Sequence, residues 1–265
     1  MSPNPAPGGA PGSPISGEQL DGYRAALGHS ARLWAGRGRH VVGPDGWTAL
    51  SGAVSVDFNV VVVYGDDVTT GVSVALEAVA AARVPSVIML AGAGLGAAQQ
   101  LVGAGWSAIG ATPLMVRREV GGDDDPAVRR LREGGDLAQA RELIGETFGL
   151  APELTGVALP DEAATDPALG AWGLYEDEAL VSCVATVNVD GALAVWSMAT
   201  PSSLQRRGHG RRLMSAVLAG GAREGASRSL LYASVAGVPF YESLGFEVVE
   251  HWQMWSRPRW VLSLA

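Results

Sequence analysis

The stretch from Val195 to Met214 constrains this chain more than any other. An apolar run, Val195-Trp-Ser-Met-Ala-Thr200, stops at Pro201. A basic turn punctuated by glycine follows, Gln205-Arg-Arg-Gly-His-Gly210, and a helical pattern then opens at Arg211-Arg-Leu-Met214. An extended segment that restarts as a helix near His209 aims several unpaired backbone N–H groups at one point, beside the positive end of the helix dipole. Such a turn is an anion site. Glycines at 208 and 210 let the backbone come close to a phosphate, which the successive N–H groups of Arg206, Arg207, Gly208, His209 and Gly210 can surround. Arg206, Arg207, Arg211 and Arg212 add charge.

Composition narrows the chemistry. All 19 basic residues are arginine, which removes Schiff-base chemistry and the phosphate-loop lysine at once. The formal net charge of −8 argues against a nucleic-acid partner, because such binding depends on neutralising phosphates. Cys183 is the single cysteine, so neither an intrachain disulfide nor a multi-cysteine metal site is available, and a reducing cytoplasm is the expected location. Cys183 itself lies in an apolar strand pattern and reads as a small buried hydrophobe. The four histidines, His29, His40, His209 and His251, are too scattered for a metal spacing. No apolar run reaches the roughly 18 residues of a membrane span, so no membrane partner is expected.

The 265 residues suffice for two domains of about 100 to 150 residues. Residues 1–16, rich in Pro, Gly, Ala and Ser, are expected to be a flexible tail. A first half is expected over 17–120: a helix from Leu20 to Leu33, a glycine-rich link from Gly36 to Gly46, a strand from Asp57 to Tyr64, and a helix from Val68 to Arg83 capped by Asp66 or Asp67. A short strand from Ser86, a short helix from Ala97 and a strand from Ser107 complete it. Gly121-Gly-Asp-Asp-Asp-Pro126 reads as the boundary. In the second half, 121–265, a helix from Asp136 to Phe148 with Asp136 as cap precedes three strands, at Ala171–Tyr175, Leu180–Val189 and Leu193–Ala199. The basic turn and its helix, a strand at Ser229, a short helix to Leu244 and a strand from Phe246 to Ser256 follow. Ser86-Val-Ile-Met-Leu90, Gly105-Trp106 and Met115-Val-Arg117 parallel Ser229-Leu-Leu-Tyr-Ala233, Gly245-Phe246 and Trp255-Ser-Arg257, which predicts a tandem repeat.

The motif Gln205-x-x-Gly208-x-Gly210, after an apolar strand and at the start of a helix, resembles the acyl-CoA-binding signature of the GCN5-related N-acetyltransferases, the GNAT family. The resemblance continues through Leu230-Leu-Tyr-Ala-Ser234 and Phe240-Tyr-Glu-Ser-Leu-Gly245-Phe246. It covers about residues 136 to 256 well and the first half only faintly. It implies an α/β mixed-sheet fold in tandem, with an incomplete first copy. It also implies acetyl-CoA as co-substrate, held at the turn by Gln205 to Arg211, with its pantetheine arm paired to backbone near Met198, Ala199 and Thr200. Tyr241 matches the family's general acid. The acceptor would be an amine of a small molecule or a protein, no metal is implied, and a homodimer is allowed. In the first half Asp66 and Asp67 stand where a phosphate turn should be and would repel a pyrophosphate. Leu101 stands at the position of Tyr241, so the first half is expected to pack against the active half and wall the cleft.

A general base is not legible. The strand Leu193–Ala199 carries no carboxylate, and Glu142, Glu146 and Asp190 read first as surface groups. Two rival readings follow. The missing carboxylate allows a non-catalytic acyl-CoA sensor. Gly92-Ala-Gly-Leu-Gly-Ala97 after a strand allows an NADP-binding oxidoreductase, although Gly103 stops its helix early and the next strand ends in Arg117 and Arg118 rather than an acid.

Overall fold

Ser16 caps the first helix reciprocally: its hydroxyl accepts the Gln19 N–H at 3.2 Å, and the Gln19 side chain accepts the Ser16 N–H at 3.0 Å. The computed structural model describes residues 14–36 and 38–261, so most of the expected N-terminal tail lies outside the described residues. After α1 (Gly17–Ser30) and α2 (Arg32–Ala35), the glycine-rich link proves to be a hairpin, β1 (Arg39–Gly43) and β2 (Gly46–Leu50). Its glycine has a packing reason: a Cβ on Gly46 would lie 2.2 Å from the Val62 carbonyl oxygen.

The next strand, β3 (Asn59–Val63), starts two residues later than expected, because 56–58 form a 3-10 turn and the Asn59 amide is tied to the carbonyls of Ala53, Ser55 and Pro85. Next come α3 (Val68–Ala82), capped by the Asp67 carboxylate accepting the Thr70 N–H at 3.2 Å, then β4 (Val87–Leu90), α4 (Ala98–Gly103) and β5 (Ser107–Arg117). The second half holds a short β6 (Val128–Arg130), α5 (Gly134–Phe148), α6 (Pro152–Ala158), β7 (Leu169–Glu176), β8 (Ala179–Val189) and β9 (Ala192–Ala199). It ends with α7 (His209–Arg223), β10 (Arg228–Tyr232), α8 (Val238–Glu242), β11 (Glu247–Ser256) and a four-residue α9 (Pro258–Val261). Sequence reasoning missed β6 and α6. Asp136 is not the cap of α5: that position is Glu133, and Asp136 sits in the first turn, where it accepts the Tyr175 hydroxyl at 3.0 Å.

All strands join one sheet in the order β1-β2-β3-β4-β11-β5-β10-β9-β8-β7-β6. The halves exchange their last strands across its centre. β11 lies antiparallel between β4 and β5, while β5 lies antiparallel between β11 and β10. Each half therefore completes the other's sheet, and the link at 121–126 joins units that share backbone hydrogen bonds. Between β11 and the first half a buried lock forms. Arg24 Nε donates to Glu250 at 3.0 Å, Trp252 Nε1 donates to Glu250 at 2.7 Å, and Ser256 Oγ donates to the Ser86 carbonyl at 2.8 Å.

The repeat holds at atomic detail. Phe246 N–H donates to the Tyr241 carbonyl at 3.1 Å, and Trp106 N–H donates to the Leu101 carbonyl at 3.0 Å. Gly245 and Gly105 turn the chain with φ of 82° and 79°, values open to glycine with little strain.

One face of the sheet carries α1, α2, α5 and α6 over a single apolar core that runs through both halves. The other face carries two separate cores, one against α3 and one against α7. On the shared face, edge-on and tilted rings run from Trp47 through Trp252, Tyr232 and Trp196 to Trp34, with neighbouring centroids 4.3 to 6.4 Å apart.

Candidate active site

β9 and β10 run parallel and pair only from Ala192–Arg228 to Ala194–Leu230. Beyond that point β9 stays with β8 and β10 stays with β5, so the sheet opens between them. The opening has a local cause. The β8–β9 register slips between Cys183 and Ala185, opposite Trp196 to Ala199, and Ser197 takes a left-handed φ of 48°. This is a bulge that bends β9 away from β10.

The basic turn lies at the mouth of this gap. Leu204 ends a 3-10 turn, Arg206 and Gly208 adopt φ of 64° and 87°, and α7 begins at His209 without a side-chain cap. Among the described residues no group accepts a hydrogen bond from the backbone N–H groups of 206 to 211. Six donors at one helix start, with no carboxylate capping them, make an anion cradle.

A cleft of about 1000 Å³ runs from this turn through the gap. Its walls come from both faces of the sheet: Met198, Phe240 and Tyr241 from the α7 side, and Trp34, Phe58, Trp196 and Tyr232 from the shared side. Of the residues expected from sequence, Met198, Thr200, Gln205, Arg206, Gly208, His209, Gly210, Arg211 and Tyr241 line the cleft. Ala199 and Arg207 are not among its lining residues. Ala199 is fully buried with its carbonyl accepting from Ser182 Oγ at 3.0 Å, and the Arg207 guanidinium donates to the Ser203 carbonyl at 3.1 Å. Gln205 braces the turn, its amide donating to the Thr200 carbonyl at 2.9 Å. The His209 ring turns inward to Glu176 at 3.1 Å, leaving its backbone N–H to the turn. Arg212 is committed to Asp125 and Glu176 at 2.8 and 2.7 Å and so is structural.

Tyr241 stands on α8 between Phe240 and Phe246, with ring centroids 5.1 and 5.7 Å away. Burial in these apolar surroundings pushes its phenol well above the ordinary tyrosine range. It therefore stays protonated at neutral pH and remains a proton donor.

The parting of parallel strands is not repeated between β3 and β4 of the first half, and the reason is steric before it is electrostatic. β3 and β4 stay paired to Val63–Leu90, and the Ala91 N–H adds a bond to the Val63 carbonyl at 3.0 Å. The following turn is pressed on the strand end: a Cβ on Gly94 would lie 2.2 Å from the Val63 oxygen. That turn, Gly92–Ala97, is a 3-10 helix leading into the six-residue α4. It lacks the strand-to-long-helix geometry that a dinucleotide needs, which removes the basis of the oxidoreductase reading.

The carboxylates weighed as bases lie elsewhere. Glu142 and Glu146 are exposed and outside the cleft lining, and Asp190 meets His29 Nδ1 at 2.6 Å in the β8–β9 hairpin. Sequence reasoning missed Asp57, the one carboxylate among the residues lining the cleft, together with Trp34 and Phe58. All three come from the first half, 140 residues or more before the basic turn, and no local pattern links them to it.

The gap between the parallel strands β9 and β10 thus joins an uncapped helix start, able to hold an anion, to a largely apolar cleft. Residues 168–248 match the family model described as acetyltransferase (GNAT) domain, and the chain shares the fold of solved GNAT structures. A GCN5-related N-acetyltransferase from Kribbella flavida superposes with TM-score 0.63 at 19% identity, covering 89% of this chain and 95% of that one. Another from Sphaerobacter thermophilus gives 0.57 at 15% identity, covering 90% and 92%. A tandem GNAT protein from the clavulanic acid biosynthesis pathway gives 0.52 at 15% identity, covering 80% and 78%. At these identities the likeness speaks for the fold. No curated protein sequence matches the chain. No helix among the described residues is long and apolar enough to cross a membrane, and none of their His, Cys, Asp and Glu side chains cluster in threes to hold a metal.

Proposed function

We propose that this protein transfers an acetyl group from acetyl-CoA to an amine of a small molecule or protein, with the chemistry confined to the second half. One observation carries the reading: the gap between β9 and β10 joins the turn that carries the unpaired N–H groups of 206–211 to Tyr241 in one cleft. The pyrophosphate of coenzyme A fits the donors at the turn, and Arg206 and Arg211 supply charge. The freed backbone edge of β9 near Met198 and Thr200 can pair with the amide groups of the pantetheine arm as an added strand would.

In the reaction a neutral amine attacks the thioester carbonyl. The tetrahedral adduct loses an N–H proton to solvent, and the C–S bond breaks. Tyr241 gives its phenolic proton to the departing thiolate and is reprotonated from water. Calorimetry with acetyl-CoA tests the first step, and free thiol release with an amine panel tests the second. Absence of acetyl-CoA binding at sub-millimolar concentration overturns the proposal. Binding without thiol release across the panel favours a sensor instead.

A further inference from the structure

The wall of the cleft opposite the basic turn belongs to neither repeat alone. Trp34 and Phe58 from the first half face Trp196 and Tyr232 from the second, with Trp34 and Trp196 edge-on at 4.3 Å and Trp196 and Tyr232 at 5.2 Å. Rings in edge-on contact form an aromatic wall against which an apolar, planar body can lie. At this wall stands Asp57, exposed, at the 3-10 turn before β3. Its carboxylate is oriented by its neighbour: Ser55 Oγ donates to Asp57 Oδ2 at 3.0 Å, and Ser55 Oγ accepts the Asp57 N–H at 3.3 Å. No arginine of the described residues bonds to Asp57. The arginines that line the cleft, Arg206 and Arg211, belong to the basic turn, so the cleft is positive at one end and negative at the other.

Burial, and in smaller part the Asp57 charge, raises the Tyr232 phenol, so this ring joins the wall as a neutral group.

From this arrangement we infer that the acceptor is a primary alkylammonium carrying an aromatic or similarly flat apolar body, with Asp57 binding the ammonium and the Trp34–Trp196–Tyr232 wall binding the body; the ammonium gives one proton to solvent before the neutral amine attacks. Asp57 is thus a specificity-determining residue supplied by the copy that has no coenzyme site of its own. The inference rests on the acetyl-transfer reading for the role of the amine, but its selectivity can be measured separately.

The test uses the full chain, alone and with saturating coenzyme A, titrated calorimetrically with 2-phenylethylamine, its neutral counterpart 2-phenylethanol, and spermidine, a polycation without a flat body. In the wild type, 2-phenylethylamine should bind at least about tenfold more tightly than either of the others. Asp57→Asn, a surface change that keeps the Ser55 contacts' geometry, should erase the preference over 2-phenylethanol and leave the coenzyme A affinity unchanged. Equal binding of amine and alcohol, tighter binding of spermidine, or a preference that survives Asp57→Asn overturns the inference. Failure of coenzyme A to bind strikes the proposed function instead, and the amine selectivity of the free chain is still read in that case.

Discussion

Leu101 and Tyr241 occupy one place in two copies of the same turn, 140 residues apart, each carbonyl accepting the N–H of the aromatic residue five positions on. One is a fully buried aliphatic side chain that seals α4 to its sheet, and the other lines an open cleft. The copies share a backbone and differ in whether the parallel strands beside them part. Where they part, the residue at this position reaches a ligand; where they do not, it can only pack.

Tyr241→Phe removes the hydroxyl and leaves the ring contacts with Phe240 and Phe246 in place. Turnover should fall by about 100-fold, the lower range for loss of a general acid, with acetyl-CoA affinity changed less than about twofold. Steady-state kinetics alongside calorimetry checks this, and a KM-only effect would assign Tyr241 to packing.

Gly208→Ala acts through conformation. A Cβ there meets nothing within 4 Å, yet φ is 87°, and holding an L-residue in that region costs about 1–2 kcal/mol. Acetyl-CoA should bind roughly tenfold more weakly, with the melting temperature nearly unchanged if the turn relaxes. Obstruction is the mechanism at Gly210 instead, where a Cβ would lie 3.1 Å from Met198 and 3.2 Å from Phe240.

The strand exchange makes folding a property of the whole chain. Residues 121–265 expressed alone would leave β10 and β11 without β5, their antiparallel partner, and should show no cooperative thermal transition by circular dichroism. Co-expression with residues 1–120 should restore one. Trp252→Ala, which empties a fully buried site between the halves, should cost about 3–5 kcal/mol in denaturant unfolding and yield a single transition.

Cys183 is 1% exposed, and burial pushes its thiol up to about 12. In the native state at pH 8 it should resist thiol reagents and react at once in denaturant. Because the folded value is raised, its contribution is complete below the unfolded value near 9 and is lost as pH climbs toward 12. Over that window stability should fall by up to about 1.4 kcal/mol per pH unit from this group. Tyr64, raised to about 12 by burial, adds a loss of the same sign above pH 10. Alkaline melts of the wild type and Cys183→Ala measure the difference.

The sequence by itself determined what local spacing can encode. Gln205 to Gly210 specified a turn with free N–H groups, Tyr241 and Gly245-Phe246 marked the helix beside it, and the 140-residue echo from Gly105-Trp106 announced a second copy. These features repeat along the chain, so periodicity and turn chemistry reveal them. Asp66 and Asp67 argued against a coenzyme turn in the first half from sequence, and the structure adds that β3 and β4 stay paired there. The hairpin at 39–50 was hidden because Gly46 is required by a close neighbour, Val62, rather than by a loop. Only the tertiary structure decided that β5 and β11 change places. Only it carried Trp34, Asp57 and Phe58 to the far wall of the cleft. Both depend on contacts between residues more than 100 positions apart, whose pairing energy is realised only once the two halves share one sheet.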